Sequence, residues 1–218
     1  MALLNSVLFG NKINPTHLFF CFHGYGSNAN DMGGIASLFV ENDTKLNNTL
    51  VICLNAPDLW ENGINEENRQ WFSLRSMEEK DIYNGLISIK EVIFNEIEFW
   101  LKKYNLSYKD IFLMGFSQGA IISLFYGLRM PEKIAGVISF SGTLIGAKNL
   151  NEELKSKPEI CLIHGNEDEV LDCSYSKIAN RILDSLGIKN ILYIIDGLNH
   201  SIDDRSFEKA FLFVKNII

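Results

Sequence analysis

Residues 110–120 read DIFLMGFSQGA, and inside them Gly115-Phe116-Ser117-Gln118-Gly119 has the form G-x-S-x-G. Five letters of that kind are weak alone. Here an apolar run, Ile111 to Met114, precedes them and a helix-like stretch with Ala120 beside the turn follows. Strand, sharp turn and helix in that order is the context a nucleophile elbow requires. The flanking glycines fit the same reading, because a strained turn leaves no room for a Cβ where strand and helix backbones approach. Such a turn presents the serine oxygen at the carboxyl end of a sheet, above a helix N-terminus that favours developing negative charge.

Outward from this turn, short apolar runs alternate with longer stretches of helical period. The runs are HLFFCF (17–22), LVICL (50–54), DIFLMGF (110–116), IAGVISF (134–140), EICLIHG (159–165) and ILYIID (191–196). Each is short and almost wholly apolar, as parallel strands buried on both faces should be. Between them, Ile82 to Tyr104 carries apolar residues along one helical face, and further helices are predicted at about 118–129, 174–186 and 204–216, with another beginning near Asn30. The alternation predicts an α/β fold: a mostly parallel central sheet with helices on both faces. No repeat or linker divides the 218 residues, so a single domain over 1–218 is expected. The longest irregular region, Asn55 to Lys80, contains Trp60, Trp71 and Phe72 and is expected to form a structured flap over a site.

Composition narrows the function. A net charge of −7 with no basic run argues against nucleic-acid binding. No window approaches the roughly 18 apolar residues that span a bilayer, so no stable membrane insertion is expected. The start, MALLNSVLFGNKIN, lacks a charged leader and a cleavage signal, which points to a cytoplasmic location. The four cysteines form no C-x-x-C pair, and no metal or dithiol chemistry is expected. Gly24-Tyr25-Gly26 lacks the third glycine of a dinucleotide site and no P-loop occurs, so no cofactor is expected either.

A serine hydroxyl needs a general base and a group that fixes the base's tautomer. Of four histidines, His200 lies in a loop after the last strand, and only it follows both the serine and an acid at a strand end, the chain order of such hydrolases. Among the acids after the fifth run, Asp168 is preferred because a short side chain on a tight loop holds a fixed line to an imidazole. Glu167 and Glu169 compete with it, and Asp172 and Asp196 compete less. The oxyanion hole draws one donor from the backbone N–H of Gln118 and the other from the loop 23–27; losing one donor costs on the order of 3 kcal/mol of transition-state stabilisation.

Taken together, FHGYGSNANDM, NAP (55–57), RQWF (69–72), GFSQGA, FSG (140–142), HGNEDEV and GLNHSI are similar to the phospholipase/carboxylesterase family of small α/β-hydrolases, in that family's order. The resemblance implies the α/β-hydrolase fold, a triad of Ser117, Asp168 and His200, and oxyanion donors at Tyr25 and Gln118. It implies that Trp71 lines an acyl pocket, although a plain core anchor for the loop is the alternative. Three departures stand out. Ser73 replaces an aspartate frequent after Trp-Phe, and Ala120 replaces a second glycine, which fits if the helix packs slightly farther from the strand. The early antiparallel strands must be shortened or missing. The expected activity is hydrolysis of carboxylic esters or thioesters of small acyl or lipid-like substrates, with an apolar rim that could serve as a homodimer contact. The competing expectations are a catalytically silent binding protein on the same scaffold, or a peptidase.

Overall fold

The structure is a computed structural model describing residues 4–41, 46–64 and 66–218. In its first half the elements are β1 (Ser6–Gly10), β2 (His17–Phe22), α1 (Gly33–Glu41), β3 (Thr49–Leu54), β4 (Asp58–Leu59), β5 (Arg69–Gln70), α2 (Glu79–Ser88) and α3 (Lys90–Tyr104). There follow β6 (Ile111–Phe116), α4 (Gln118–Gly127), β7 (Gly136–Phe140), α5 (Leu150–Glu153), β8 (Glu159–Gly165), α6 (Ser174–Ser185), β9 (Asn190–Ile195) and α7 (Asp204–Lys215).

All six predicted runs are strands of one sheet, in the order β1-β3-β2-β6-β7-β8-β9. Neighbours from β3 to β9 are parallel, and β1 alone runs antiparallel, along β3. One early antiparallel strand is therefore present. It is only partly buried, which is why it carries no long apolar run. Alternate residues of each central strand enter two separate cores. Leu18, Phe20, Phe22, Leu113 and Leu162 pack with α2, α3, α4 and α6, while Phe19, Cys21, Met114, Phe140 and Ile163 pack with α1 and α7. Two-sided burial is what an α/β sheet requires, and each large side chain removed from water contributes about 1.5–3 kcal/mol.

The helix expected over Ile82–Tyr104 is interrupted at Ile89, which separates α2 from α3. Ser88 Oγ donates to Gly85 O at 2.7 Å, taking the carbonyl that the Ile89 N–H would meet in an unbroken helix. The region 55–80 is ordered into a small antiparallel pair, β4 with β5, which bridges back to Ser27. Because β2, β6, β8 and β9 are parallel, their carboxyl ends share one edge, and the chain delivers loops 23–27, 117, 166–172 and 196–203 to it.

Candidate active site

Ser117 sits between β6 and α4 with φ 54° and ψ −114°, a conformation seldom taken by a residue with a side chain and one that costs about 1–3 kcal/mol. Its N–H donates to Phe140 O at 2.9 Å, and its carbonyl accepts from Ala120 and Ile121, so the neighbouring strand and the helix start hold it there. Both glycines of the motif are required by close approach. A Cβ on Gly115 would stand 2.2 Å from the Gly119 carbonyl, and one on Gly119 would stand 2.0 Å from Phe22 O. The methyl of Ala120 is accommodated by a glycine opposite it: a Cβ on Gly142 would lie 2.6 Å from Ala120 Cβ.

The loops after β8 and β9 are laced together before they reach the site. Glu167 N donates to Leu198 O at 3.0 Å, Gly197 N to Asn166 Oδ1 at 2.7 Å, and Asn166 Nδ2 to Asp196 Oδ1 at 2.8 Å. A capping box between Asp203 and Ser206 starts α7 and fixes the far end of the histidine loop. Asp168 and His200 meet as a result, with Nδ1 of the imidazole 2.7 Å from Oδ2 of the carboxylate. Neither Glu167 nor Glu169 makes a contact of this kind, and Asp196 serves the loop lacing. Burial alone would raise the Asp168 carboxyl. The N–H groups of Leu171 at 2.8 Å and Val170 at 3.0 Å, with His200, outweigh burial and hold it below the ordinary carboxylate range. Asp168 is therefore an anion at neutral pH, and because its oxygen can only accept, the His200 Nδ1 that faces it carries a proton. The His200 ring also rests on Phe116, the residue before Ser117, with centroids 4.8 Å apart.

A second imidazole reaches the same carboxylate: His164 Nε2 lies 3.1 Å from Asp168 Oδ2. The sequence offered a signal for this contact, the four-residue spacing from His164 to Asp168, but the geometry of the loop decides it.

The glycine loop after β2 is braced by residues 69–72. Gly26 N donates to Arg69 O at 2.9 Å and Arg69 N to Ser27 O at 2.8 Å. Trp71 Nε1 donates to His23 O at 3.0 Å, and Trp71 N donates to the side-chain Oε1 of Gln118, also at 3.0 Å. The Gln118 amide completes the clamp by donating to Phe72 O at 2.8 Å. Trp71 is fully buried between this loop and Phe22, and it is not among the residues lining the cavity. Its position is that of the core anchor, and the indole lies behind the wall of the cavity. His23, also buried, accepts from Ala56 N at Nε2 and contacts Gly24 O at Nδ1; burial lowers its pKa to about 4, so it is neutral.

Glu61, which no sequence signal singled out, organises the rest of the flap. Its carboxylate accepts from Tyr25 Oη at 2.6 Å, from Ser73 Oγ and from Leu74 N, and it pairs with Arg75 at 3.0 Å. Where the resemblance leads one to expect an aspartate at 73, a carboxylate is still present, supplied from position 61 and bonded to Ser73. Burial and the Glu61 bond push the Tyr25 phenol up to about 12.

Gly24, Tyr25, Ser117, Gln118 and His200 open on one cavity of about 1010 Å³, whose further walls are largely apolar and include Ile35, Leu74, Met77, Ile121 and Val170. A concave, mostly apolar space with a few convergent polar groups is the usual form of a small-molecule site. Among the described residues no group of three or more His, Cys, Asp or Glu could hold a metal ion, and no helix is long and apolar enough to cross a membrane.

Residues 8–218 match the Phospholipase/Carboxylesterase family. Esterase YpfH of Escherichia coli is 32% identical over 193 residues, which cover 88% of this chain and 79% of that protein. Acyl-protein thioesterase 1 of Schizosaccharomyces pombe is 26% identical over 231 residues, covering 100% of this chain and 98% of its own length. The crystal structure of esterase PE8 superposes with a TM-score of 0.92 at 29% identity, over 100% of both chains.

Proposed function

The chain belongs to the phospholipase/carboxylesterase family of ester and thioester hydrolases, and on that premise we propose that it cleaves acyl substrates through an acyl-enzyme, with Ser117 as nucleophile, His200 as general base and Asp168 as the carboxylate that orients the imidazole. The observation that carries this reading is the 2.7 Å bond between Asp168 Oδ2 and His200 Nδ1, made beside the cavity on which Ser117 opens.

In this mechanism Ser117 Oγ attacks the acyl carbonyl while its proton passes to His200 Nε2. The oxyanion receives the backbone N–H groups of Tyr25 and Gln118, which are braced by the bonds to residues 69–72. His200 then gives its proton to the departing alcohol or thiol. Water enters, His200 removes a proton from it as it attacks the acyl-enzyme, and His200 returns that proton to the departing Ser117 Oγ, which releases the carboxylic acid and restores the serine. Trp71 acts in this reading as the brace that ties both oxyanion donors together, a role supported by its bonds to His23 and Gln118.

The same reading takes 1–218 as one domain, supported by the family match over 8–218 and by a sheet drawing on Ser6 to Ile195. A cytoplasmic location is part of it, supported by four free, buried cysteines. A homodimer through the apolar rim of the cavity also belongs to it, supported by the exposed Met77 and Val170. The test of function is a series of p-nitrophenyl acyl esters of rising chain length. Turnover by the wild-type protein, lost in Ser117→Ala, is the expected result; no turnover of any member sinks the reading. A silent binding protein would also resist labelling by a fluorophosphonate at Ser117.

A further inference from the structure

The mechanism leaves two buried histidines unused, His23 and His164, and the surroundings of His164 give it a task. The side chain of His164 is completely enclosed, as is that of Asp168. The His164 Nε2 faces two oxygens that can only accept, Leu171 O at 2.7 Å and Asp168 Oδ2 at 3.1 Å. A lone pair there would confront both, so Nε2 carries the proton. On the other edge of the ring, Nδ1 lies 2.7 Å from Ser176 Oγ, at the start of α6. That hydroxyl also reaches Gly142 O at 3.2 Å, in the loop after β7.

Asp168 Oδ2 therefore stands between two imidazoles, with His200 Nδ1 at 2.7 Å and His164 Nε2 at 3.1 Å, while Oδ1 takes the N–H groups of Val170 and Leu171. Four donors fix the carboxylate, and His164 is itself tied to α6 through Ser176. We propose that His164 is a positioning residue of the hydrolase site: it pins Asp168 from behind, so that the carboxylate keeps the line that orients the His200 imidazole. The inference rests on the assignment of Ser117, Asp168 and His200 to the reaction.

The charged and titratable groups facing the ring are Asp168 and Asp172 in the loop after β8 and His200 in the loop after β9; from α6 it meets the neutral hydroxyl of Ser176. Burial lowers the His164 pKa, against the pull of Asp168, so at neutral pH the ring is a neutral donor. Its removal leaves Oδ2 held by His200 alone, and the carboxylate is then free to turn off the line to Nδ1.

The test compares His164→Leu, His164→Gln and Ser176→Ala with the wild type, using p-nitrophenyl butyrate and enzyme whose active serine is counted by fluorophosphonate labelling. Per active site, His164→Leu is expected to lose about tenfold in kcat with KM nearly unchanged. His164→Gln, which keeps an amide N–H donor, should recover part of that loss. Ser176→Ala should show the same changes in smaller measure, and it carries the test if His164→Leu does not fold. A histidine that merely fills space would leave kcat per labelled site where it is in all three variants. That result overturns the proposal even when Ser117→Ala and His200→Gln abolish turnover. If those two variants keep turnover, the assignment of the reaction fails instead.

Discussion

The side-chain carbonyl of Gln118 accepts the backbone N–H of Trp71 at 3.0 Å, so a side chain at the start of α4 holds the flap that braces the glycine loop. The same amide donates to Phe72 O. Both proposed oxyanion donors are thus tied to residues 69–72, and a substitution that spares every backbone N–H should still loosen their spacing. Gln118→Ala is expected to lower kcat by about 10- to 100-fold with little change in KM, since only transition-state contacts are disturbed. Steady-state kinetics on one ester checks this, and an unchanged kcat contradicts it.

Glu61 gathers Tyr25, Ser73, Leu74 and Arg75 on one carboxylate. Glu61→Ala leaves those donors without their acceptor and should cost about 1–3 kcal/mol of local stability, the usual scale for hydrogen bonds to a charged group. Limited proteolysis within 55–80 should accelerate while the sheet stays protected. Equal cleavage rates in variant and wild type would show that the flap does not depend on this residue.

Gly34, on α1, borders the cavity, and a Cβ added there meets nothing within 4 Å. Gly34→Leu can therefore grow into the space without displacing backbone. It should raise KM for long acyl esters about tenfold relative to acetate, the scale at which pockets discriminate chain size. A uniform change across the chain-length series would mean that acyl chains lie elsewhere.

His23 is held neutral, its pKa lowered by burial from 6.5 to about 4. In the unfolded chain it binds a proton near pH 6.5, so between about 6.5 and 4 the unfolded state carries the extra proton. The stability tied to this group is present above pH 6.5 and is lost as pH falls toward 4, a change of about 3 kcal/mol at most. Thermal unfolding followed from pH 7 to 4 should show a slope that His23→Gln diminishes. An identical slope in that variant would assign the acid sensitivity to other groups.

The sheet could be read from the chain because parallel strands buried on both faces have to be short apolar runs, and 17–22 and 159–165 were bounded to the residue. β1 escaped because an edge strand with half-exposed side chains has no such run. The break at Ile89 escaped because a serine hydroxyl competing for a carbonyl leaves the apolar period intact. At the site, the order of serine, acid and histidine was visible, since each follows a strand end. The Glu61 hub and the wall in front of Trp71 were not, because they depend on how the flap folds back over the glycine loop. Ala120 was expected to need a wider helix–strand gap, whereas the absence of a side chain at Gly142 supplies the space.

The most direct measurement is rapid acid quenching of the enzyme during turnover of a p-nitrophenyl acyl ester, followed by mass spectrometry of the intact protein and its peptides. The account predicts a burst of p-nitrophenol together with one acyl group on the peptide containing Ser117, absent from Ser117→Ala and formed far more slowly by His200→Gln. Turnover with no acylated protein at any quench time, or an acyl group carried by a different residue, would contradict it.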